Sequence, residues 1–253
     1  MMKLTLGMAF ALSSSVLMAN PFEADRMTQG FSTSIVPKGQ LAWEQALPTA
    51  TYDEERVNGV KQQVTTVQGD TLLRLGIGHG TELRLGWDGP IWQQYKNGAV
   101  KTEVDGVGDL QLGVKKSIDL PDEKLTWALL AQVHLATGDD EFTTDEEIYT
   151  LASALQYQFD ENLVTGLTMS YDYQDGDLAV TAVPSLRYPI SANVSGITEY
   201  VFRKAEHQHY ESSIHTGVFW SITDKLQADA TLGYGLNKQV PDFNLGLGLA
   251  YLF

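Results

Sequence analysis

Residues 226–236 read LQADATLGYGL. Leu226, Ala228, Ala230, Leu232, Tyr234 and Leu236 fall at two-residue steps, and Gln227, Asp229, Thr231, Gly233 and Gly235 fill the gaps. Successive strand side chains point to opposite faces, so the segment is a strand with one apolar face and one polar or small face. The same period recurs upstream. In 81–88, Leu83, Leu85 and Trp87 oppose Glu82, Arg84, Gly86 and Asp88, and in 163–173 Leu163, Thr165, Leu167, Met169, Tyr171 and Tyr173 oppose Val164, Gly166, Thr168, Ser170 and Asp172. The chain of 253 residues is 43% apolar and carries 17 basic and 32 acidic side chains. Its mean hydropathy is −0.16. Past the N-terminus no apolar run approaches the roughly 20 residues of a membrane helix, which excludes a helical membrane protein but not a barrel, whose strands alternate. A net charge of −15 has the wrong sign for nucleic acid. The absence of cysteine removes disulfides, thiolate metal sites and cysteine nucleophiles.

Twelve alternating segments can be counted, near 39–47, 70–78, 81–88, 108–118, 124–136, 149–159, 162–172, 178–188, 192–203, 207–221, 225–236 and 243–253. The connections alternate too. Short ones at 78–80, 119–123, 160–161, 189–191 and 223–224 lie between longer or more acidic ones at 48–69, 89–107, 137–148, 173–177, 204–206 and 237–242. Short turns on one rim and long loops on the other predict an all-β fold: a transmembrane antiparallel up-and-down β-barrel of about 12 strands. An even count places both termini on one side, the periplasmic one. Trp127, Tyr157, Phe159, Tyr188, Trp220, Tyr251 and Phe253 then lie near the inner strand ends, and Trp87, Tyr149, Tyr171, Tyr173 and Tyr234 near the outer ends. These are two interfacial girdles. Pro184 inside 178–188 removes a ladder donor and predicts a bulge or an early strand end, with ten strands as the fallback count.

The two ends of the chain carry further signals. Residues 1–19, MMKLTLGMAFALSSSVLMA, have a positive Lys3, an apolar run from Leu4 to Leu12 and a cleavage-like Leu17-Met18-Ala19, and so read as a secretory signal peptide. Residues 20–38 contain Phe31, Ile35 and Val36, apolar enough to fold into the lumen as a plug, which leaves 39–253 as the barrel. At the other end, Leu245, Leu247, Leu249, Tyr251 and Phe253 share one apolar face. That face looks like the terminal signal by which the barrel-assembly machinery recognises bacterial outer-membrane barrels, and on a water-soluble protein it would be an aggregation site.

The stretch Gly106-Val107-Gly108-Asp109-Leu110-Gln111-Leu112-Gly113-Val114-Lys115-Lys116 resembles a segment typical of the outer-membrane family labelled after the MetA pathway of phenol degradation. Thr81-Glu82-Leu83-Arg84-Leu85-Gly86 looks like that family's preceding strand, and Gly39-Gln40-Leu41-Ala42-Trp43-Glu44 is similar to its first. Lys116 stands where the family often has an aromatic. The resemblance implies an outer-membrane barrel and uptake of small, often aromatic, compounds, with no catalytic residues. Read on its own, Gly106-x-Gly108-Asp109 is no dinucleotide loop, because no helix or third glycine follows. It suits a tight strand entry in which Asp109 accepts from nearby backbone amides. No cofactor is expected.

Parity sends Glu44, Arg74, Glu82, Arg84, Asp88, Lys115, Gln132, His134, Asp172, Arg187, Glu211, His215 and Asp229 into the lumen. Of these, Glu44, Arg74, Glu82, Arg84, Lys115, His134, Arg187 and Asp229 are the candidates for lumen selectivity. They make either a salt-bridge ladder that stabilises or closes the lumen or a transverse field that orients polar solutes. The outer loop 137–148 carries Asp139, Asp140, Glu141, Asp145, Glu146 and Glu147 with no base. It is a solvated acidic face or a site for divalent ions that bridge lipopolysaccharide. His207, His209 and Glu211 at two-residue spacing would project together from a strand as metal ligands. Three functional classes follow: a passive channel for small solutes, aromatic or hydrophobic ones among them; a plugged structural or surface-interaction barrel; and an outer-membrane lipid-modifying enzyme. The expected surroundings are outer-membrane lipids and lipopolysaccharide, with no nucleic acid. The enzyme ranks last, because Ser213 and His215 point inward by parity and no recognisable lipase motif is present.

Overall fold

A computed structural model describes residues 22–26 and 28–253. The expected signal peptide, residues 1–19, lies outside the described residues. Fifteen strands form one antiparallel sheet: β1 (Leu41–Val57), β2 (Val60–Gln68), β3 (Thr71–Gly78), β4 (Thr81–Trp87), β5 (Pro90–Asn97), β6 (Val100–Val107), β7 (Leu110–Ile118), β8 (Leu125–Leu135), β9 (Ile148–Asp160), β10 (Leu163–Gln174), β11 (Asp177–Ser191), β12 (Val194–Ala205), β13 (Glu211–Ser221), β14 (Leu226–Gly235) and β15 (Phe243–Leu252). Pairing of β15 with β1 closes the sheet into a barrel. Three strand pairs, β2 with β3, β4 with β5 and β6 with β7, are single wall strands broken at Gly69-Asp70, Asp88-Gly89 and Gly108-Asp109. The wall therefore has twelve staves. The ten-strand alternative is excluded.

The connections 48–69 and 89–107, expected as long loops, are strand. The upper half of β1 pairs with β2, β2 with β5, and β5 with β6, so four strands carry the wall beyond the barrel on one side. Asn58 and Gly59 both have positive φ (52° and 81°). That is the backbone of a type I′ hairpin turn, for which Asn-Gly is the preferred sequence. The acidic and amide-rich strands on either side hid that signal. Pro184 neither bulges nor ends β11. The ladder with β12 omits Val183 and Pro184 and resumes in the same register, and the strand runs to Ser191. The proline costs one donor, while β10 still pairs with it through Leu167.

Exposure is inverted relative to a water-soluble protein. Leu151, Leu245, Leu83 and Val114 on the outer face are exposed, whereas Arg74, Lys115, Glu44 and Glu82 are among the largest fully buried side chains. An apolar exterior around a polar interior is the arrangement of a membrane barrel. Among the aromatics assigned to the two rims, Trp87, Tyr149, Phe159, Tyr171, Tyr173, Tyr188, Trp220, Tyr234 and Phe253 are outward and exposed. No helix among the described residues is long and apolar enough to cross a membrane.

Candidate functional site: a charged lumen wall and the segment it holds

The described part of the N-terminal segment, 22–26 and 28–38, lies inside the barrel. Phe22, Ala24 and Val36 pack with Ala42, Ile197, Phe219, Ala250 and Leu252 at the end where β1 begins and β15 ends. Phe31 packs with Ala128, Leu130, Ala152 and Ala154 on the far wall. The wall makes room with glycine. A Cβ on Gly76 would sit 2.2 Å from the carbonyl oxygens of Val36 and Pro37.

Neighbouring staves bring the predicted charges together. Register places Arg74 of β3 opposite Arg84 of β4, and Glu82 of β4 opposite Lys115 of β7. Two like charges directly opposite repel, so the Arg74–Arg84 pair requires anions. Arg74 Nε and Nη2 donate to Glu82 at 2.8 and 3.0 Å, and Nη1 donates to Glu44 at 2.8 Å. Its remaining donors reach the carbonyl oxygens of Glu23 (2.8 Å) and Ser34 (3.0 Å) in the N-terminal segment. Arg84 donates to Asp25 and, at 3.1 Å, to Glu82. Lys115 donates to Asp25 at 2.8 Å and to the Ser32 carbonyl at 3.2 Å. Backbone amides add to these: Glu44 Oε2 accepts from Asp25 N and Arg26 N at 2.9 Å each, and Glu82 Oε2, already bonded to Arg74, accepts from Val36 N at 2.9 Å as well. A buried charge is costly unless paired and hydrogen-bonded, and this cluster meets both conditions only with the segment in place.

The opposite wall holds the segment too. Asp229 accepts from Arg26, Arg187 pairs with Glu23, and Glu199 accepts from the Thr28 hydroxyl and, at 2.9 Å, from Gln29 N. Thr33 Oγ1 contacts Thr126 Oγ1 (2.7 Å) and donates to Gln156 (2.9 Å). Glu44, Arg74, Glu82, Arg84, Lys115, Arg187 and Asp229 therefore all meet the segment or one another. The sequence reading missed Glu23, Asp25, Arg26 and Glu199. The signal for the first three was the charged run Glu23-Ala24-Asp25-Arg26 just before a barrel whose parity already sent unpaired charges inward.

His134 sits apart from this cluster, with Nε2 2.9 Å from Asp88 and 3.7 Å from Asp109. Asp109 explains the Gly-x-Gly-Asp motif. Its carboxylate accepts from Thr137 N (2.8 Å), Gly138 N (2.7 Å), Thr143 Oγ1 (2.8 Å), Thr144 N (2.8 Å) and Thr144 Oγ1 (3.0 Å), fastening loop 137–144 across the break between β6 and β7. Gly106 leaves room for Phe142 of that loop, two of whose ring carbons would lie 2.9 and 3.0 Å from an added Cβ. Asp139 is not free on the acidic rim: it accepts from Val107 N at 2.8 Å. Asp140, Glu141, Asp145, Glu146 and Glu147 are exposed.

The expected metal face of His207, His209 and Glu211 does not form. His207 and His209 lie in the turn between β12 and β13 and not on a strand, and Glu211 pairs with Arg203 at 2.9 Å. Period two persists through that turn only in the sequence, since the left-handed backbone of His207 (φ 59°) breaks the alternation. In its place Asp177, Glu206 and His207, all exposed, bring ligand atoms within 4.8 Å of one another. Ser213 Oγ lies 2.9 Å from His215 Nε2, facing inward, but His215 Nδ1 has no hydrogen-bond partner among the described residues. Among the described residues, no acid orients this histidine as a catalytic one requires.

A family model described as "Putative MetA-pathway of phenol degradation" matches residues 24–253. The chain belongs to this family. Among solved structures, a COG4313 outer membrane channel from Pseudomonas putida F1 is similar at 15% identity and a TM-score of 0.66, over 86% of this chain and 97% of that one. The translocator domain of the autotransporter NalP from Neisseria meningitidis is similar at 14% identity and a TM-score of 0.57, over 90% and 91%. The KdgM porin in complex with disordered oligogalacturonate is similar at 9% identity and a TM-score of 0.55, over 85% and 99%. No curated protein matches the chain. The shared feature is the outer-membrane barrel wall, on which a channel, a translocator and a porin are all built, so function has to be argued from the lumen.

Proposed function

We propose that this protein is an outer-membrane channel for passive uptake of small solutes, closed at rest by its own N-terminal segment, with both termini on the periplasmic side. The observation that carries this is the lumen wall. Arg74, Lys115, Glu44 and Glu82 are buried against residues 22–38, although the same charges would face water in an open pore. The family membership and the channel and porin among the similar structures support it. By that likeness the solutes are small, and the family's label suggests aromatic compounds among them. The charged wall acts first as a ladder that closes the lumen and as a selectivity element only when the segment moves. The acidic outer loop faces lipopolysaccharide, and the exposed apolar face of β15 ending at Phe253 serves assembly. We read the chain as non-enzymatic, because the inward Ser213–His215 pair lacks an orienting acid. Liposome swelling with the folded full-length chain tests the proposal. Entry of at least one small solute faster than into protein-free liposomes is expected, and exclusion of every solute tried would overturn it. The saturated ion-pair web favours one second reading, a permanently plugged barrel, and that exclusion is the result it predicts.

A further inference from the structure

Outside the lumen, the rim toward which β1, β10 and β12 run carries a cluster of a different kind. The register of β11 against β12 pairs Ala179 with Ala205, and Glu206 N donates to the Leu178 carbonyl at 3.0 Å. Asp177, just after the Asp175-Gly176 turn, is thereby set beside Glu206 and His207 at the start of the turn between β12 and β13. A carboxylate oxygen of each acid and a ring nitrogen of His207 lie within 4.8 Å of one another, and all three residues are exposed. Two carboxylates facing each other across neighbouring strands repel, so the pair calls for a cation. The bases at the end of β12 are engaged elsewhere. Arg203 pairs with Glu211, and the Lys204 ammonium donates to the Gln208 carbonyl. Neither Asp177 nor Glu206 forms an ion pair among the described residues.

A metal ion answers both the charge and the donor types. Calcium takes about six to eight oxygen ligands, more than two carboxylates offer, whereas an imidazole nitrogen suits zinc, copper and nickel. Zinc accepts nitrogen and carboxylate oxygen together at about 2.0–2.2 Å, with water in an open fourth position. Tetrahedral ligands at that distance stand about 3.4 Å apart, so the three groups close by at most about 1.4 Å, through rotation of exposed side chains. We propose that Asp177, Glu206 and His207 form a surface site for a divalent transition metal of the zinc type, joining the tip of the β10–β11 hairpin to the turn after β12. Of the spacing His207, His209 and Glu211, only His207 takes part. The site lies away from the lumen and stands whether or not the barrel conducts.

Isothermal titration calorimetry with zinc chloride and calcium chloride tests this on the chain without residues 1–19, folded in detergent micelles and free of any affinity tag. One saturable equivalent of Zn²⁺ is expected, bound at least about a hundredfold more tightly than Ca²⁺. No saturable heat with zinc would overturn the site. So would equal affinities for the two ions, which mark a merely acidic surface. His207→Ala and Asp177→Asn should each weaken zinc at least about tenfold, and His209→Ala should leave it within about twofold. Equal losses on His207→Ala and His209→Ala, with none on Asp177→Asn, would overturn the set in favour of chelation by the two histidines alone. All three substitutions fall at exposed positions, and heat-modifiable gel mobility checks that each variant is folded. The zinc-against-calcium comparison on the unsubstituted chain decides the proposal even if a variant is not.

Discussion

Two pieces of non-strand chain are fastened to this barrel, and they are fastened differently. The N-terminal segment is held from several walls at once: by Glu44, Arg74, Glu82, Arg84 and Lys115 on one side and by Arg187, Glu199 and Asp229 on the other. Loop 137–144 hangs chiefly on one carboxylate, Asp109. The first attachment is ionic and redundant. The second is a single acceptor saturated by amides and hydroxyls. Redundant charge pairing inside a closed wall makes the wall and its occupant one electrostatic unit, so loss of a wall charge is felt by both. A single buried acceptor makes the loop a separable part.

The largest effect is expected at Arg74. Arg74→Met leaves Glu44 and Glu82 buried without their shared cation, and removing one partner of a buried pair costs about 3–5 kcal/mol. We expect the barrel itself to lose thermal stability by that order, measured as the loss of heat-modifiable gel mobility at lower temperature. An unchanged transition would show that water already screens the cluster. Gly76→Leu should come next. The added side chain collides with the carbonyls of Val36 and Pro37, 2.2 Å from its Cβ, and it should displace the segment while leaving the β3 ladder formed. Tryptic cleavage after Arg26, whose side chain is buried against Asp229, should then appear by mass spectrometry where the unmodified barrel resists.

Asp109→Ala sharpens the other side. It should free loop 137–144 without touching the segment. Cleavage by a glutamyl endopeptidase at Glu141, Glu146 or Glu147 should accelerate at least tenfold, equivalent to about 1.4 kcal/mol of local opening, with the tryptic pattern at Arg26 unaltered. Coupled changes at both sites would contradict their independence. The smallest effect is expected at Thr33→Val, which removes neutral hydrogen bonds to Thr126 and Gln156, each worth about 1 kcal/mol. Thermal unfolding should move by no more than that, since the ionic anchors remain.

The wall was legible because its signal is periodic. Leucines at two-residue steps and the Asn, Asp and Gly turns placed the eight staves β8 to β15 within a few residues, placed one half of each of the other four, and sent Arg74, Glu82, Arg84 and Lys115 inward. The hairpins at 48–69 and 89–107 were missed because strands such as VKQQVTTVQ lack an apolar face beyond the membrane, where only the turns at Asn58-Gly59 and Asn97-Gly98 marked them. The partners of the lumen charges were illegible for a different reason. Parity states which way a strand residue points but nothing about a segment with no period, so Asp25 and Arg26 remained unassigned. His207 and His209 show the converse error, a spacing that imitates a strand through a turn.

On the proposed function, residues 22–38 close an otherwise open lumen. Single-channel conductance in a planar bilayer is the measurement to make, comparing the chain without residues 1–19 with one that lacks residues 22–38 as well, both checked for folding by heat-modifiable mobility. The account predicts small or rare currents from the intact barrel, and steady openings at least tenfold larger from the shortened one as water enters among the freed charges. Equal currents from two folded barrels would contradict it.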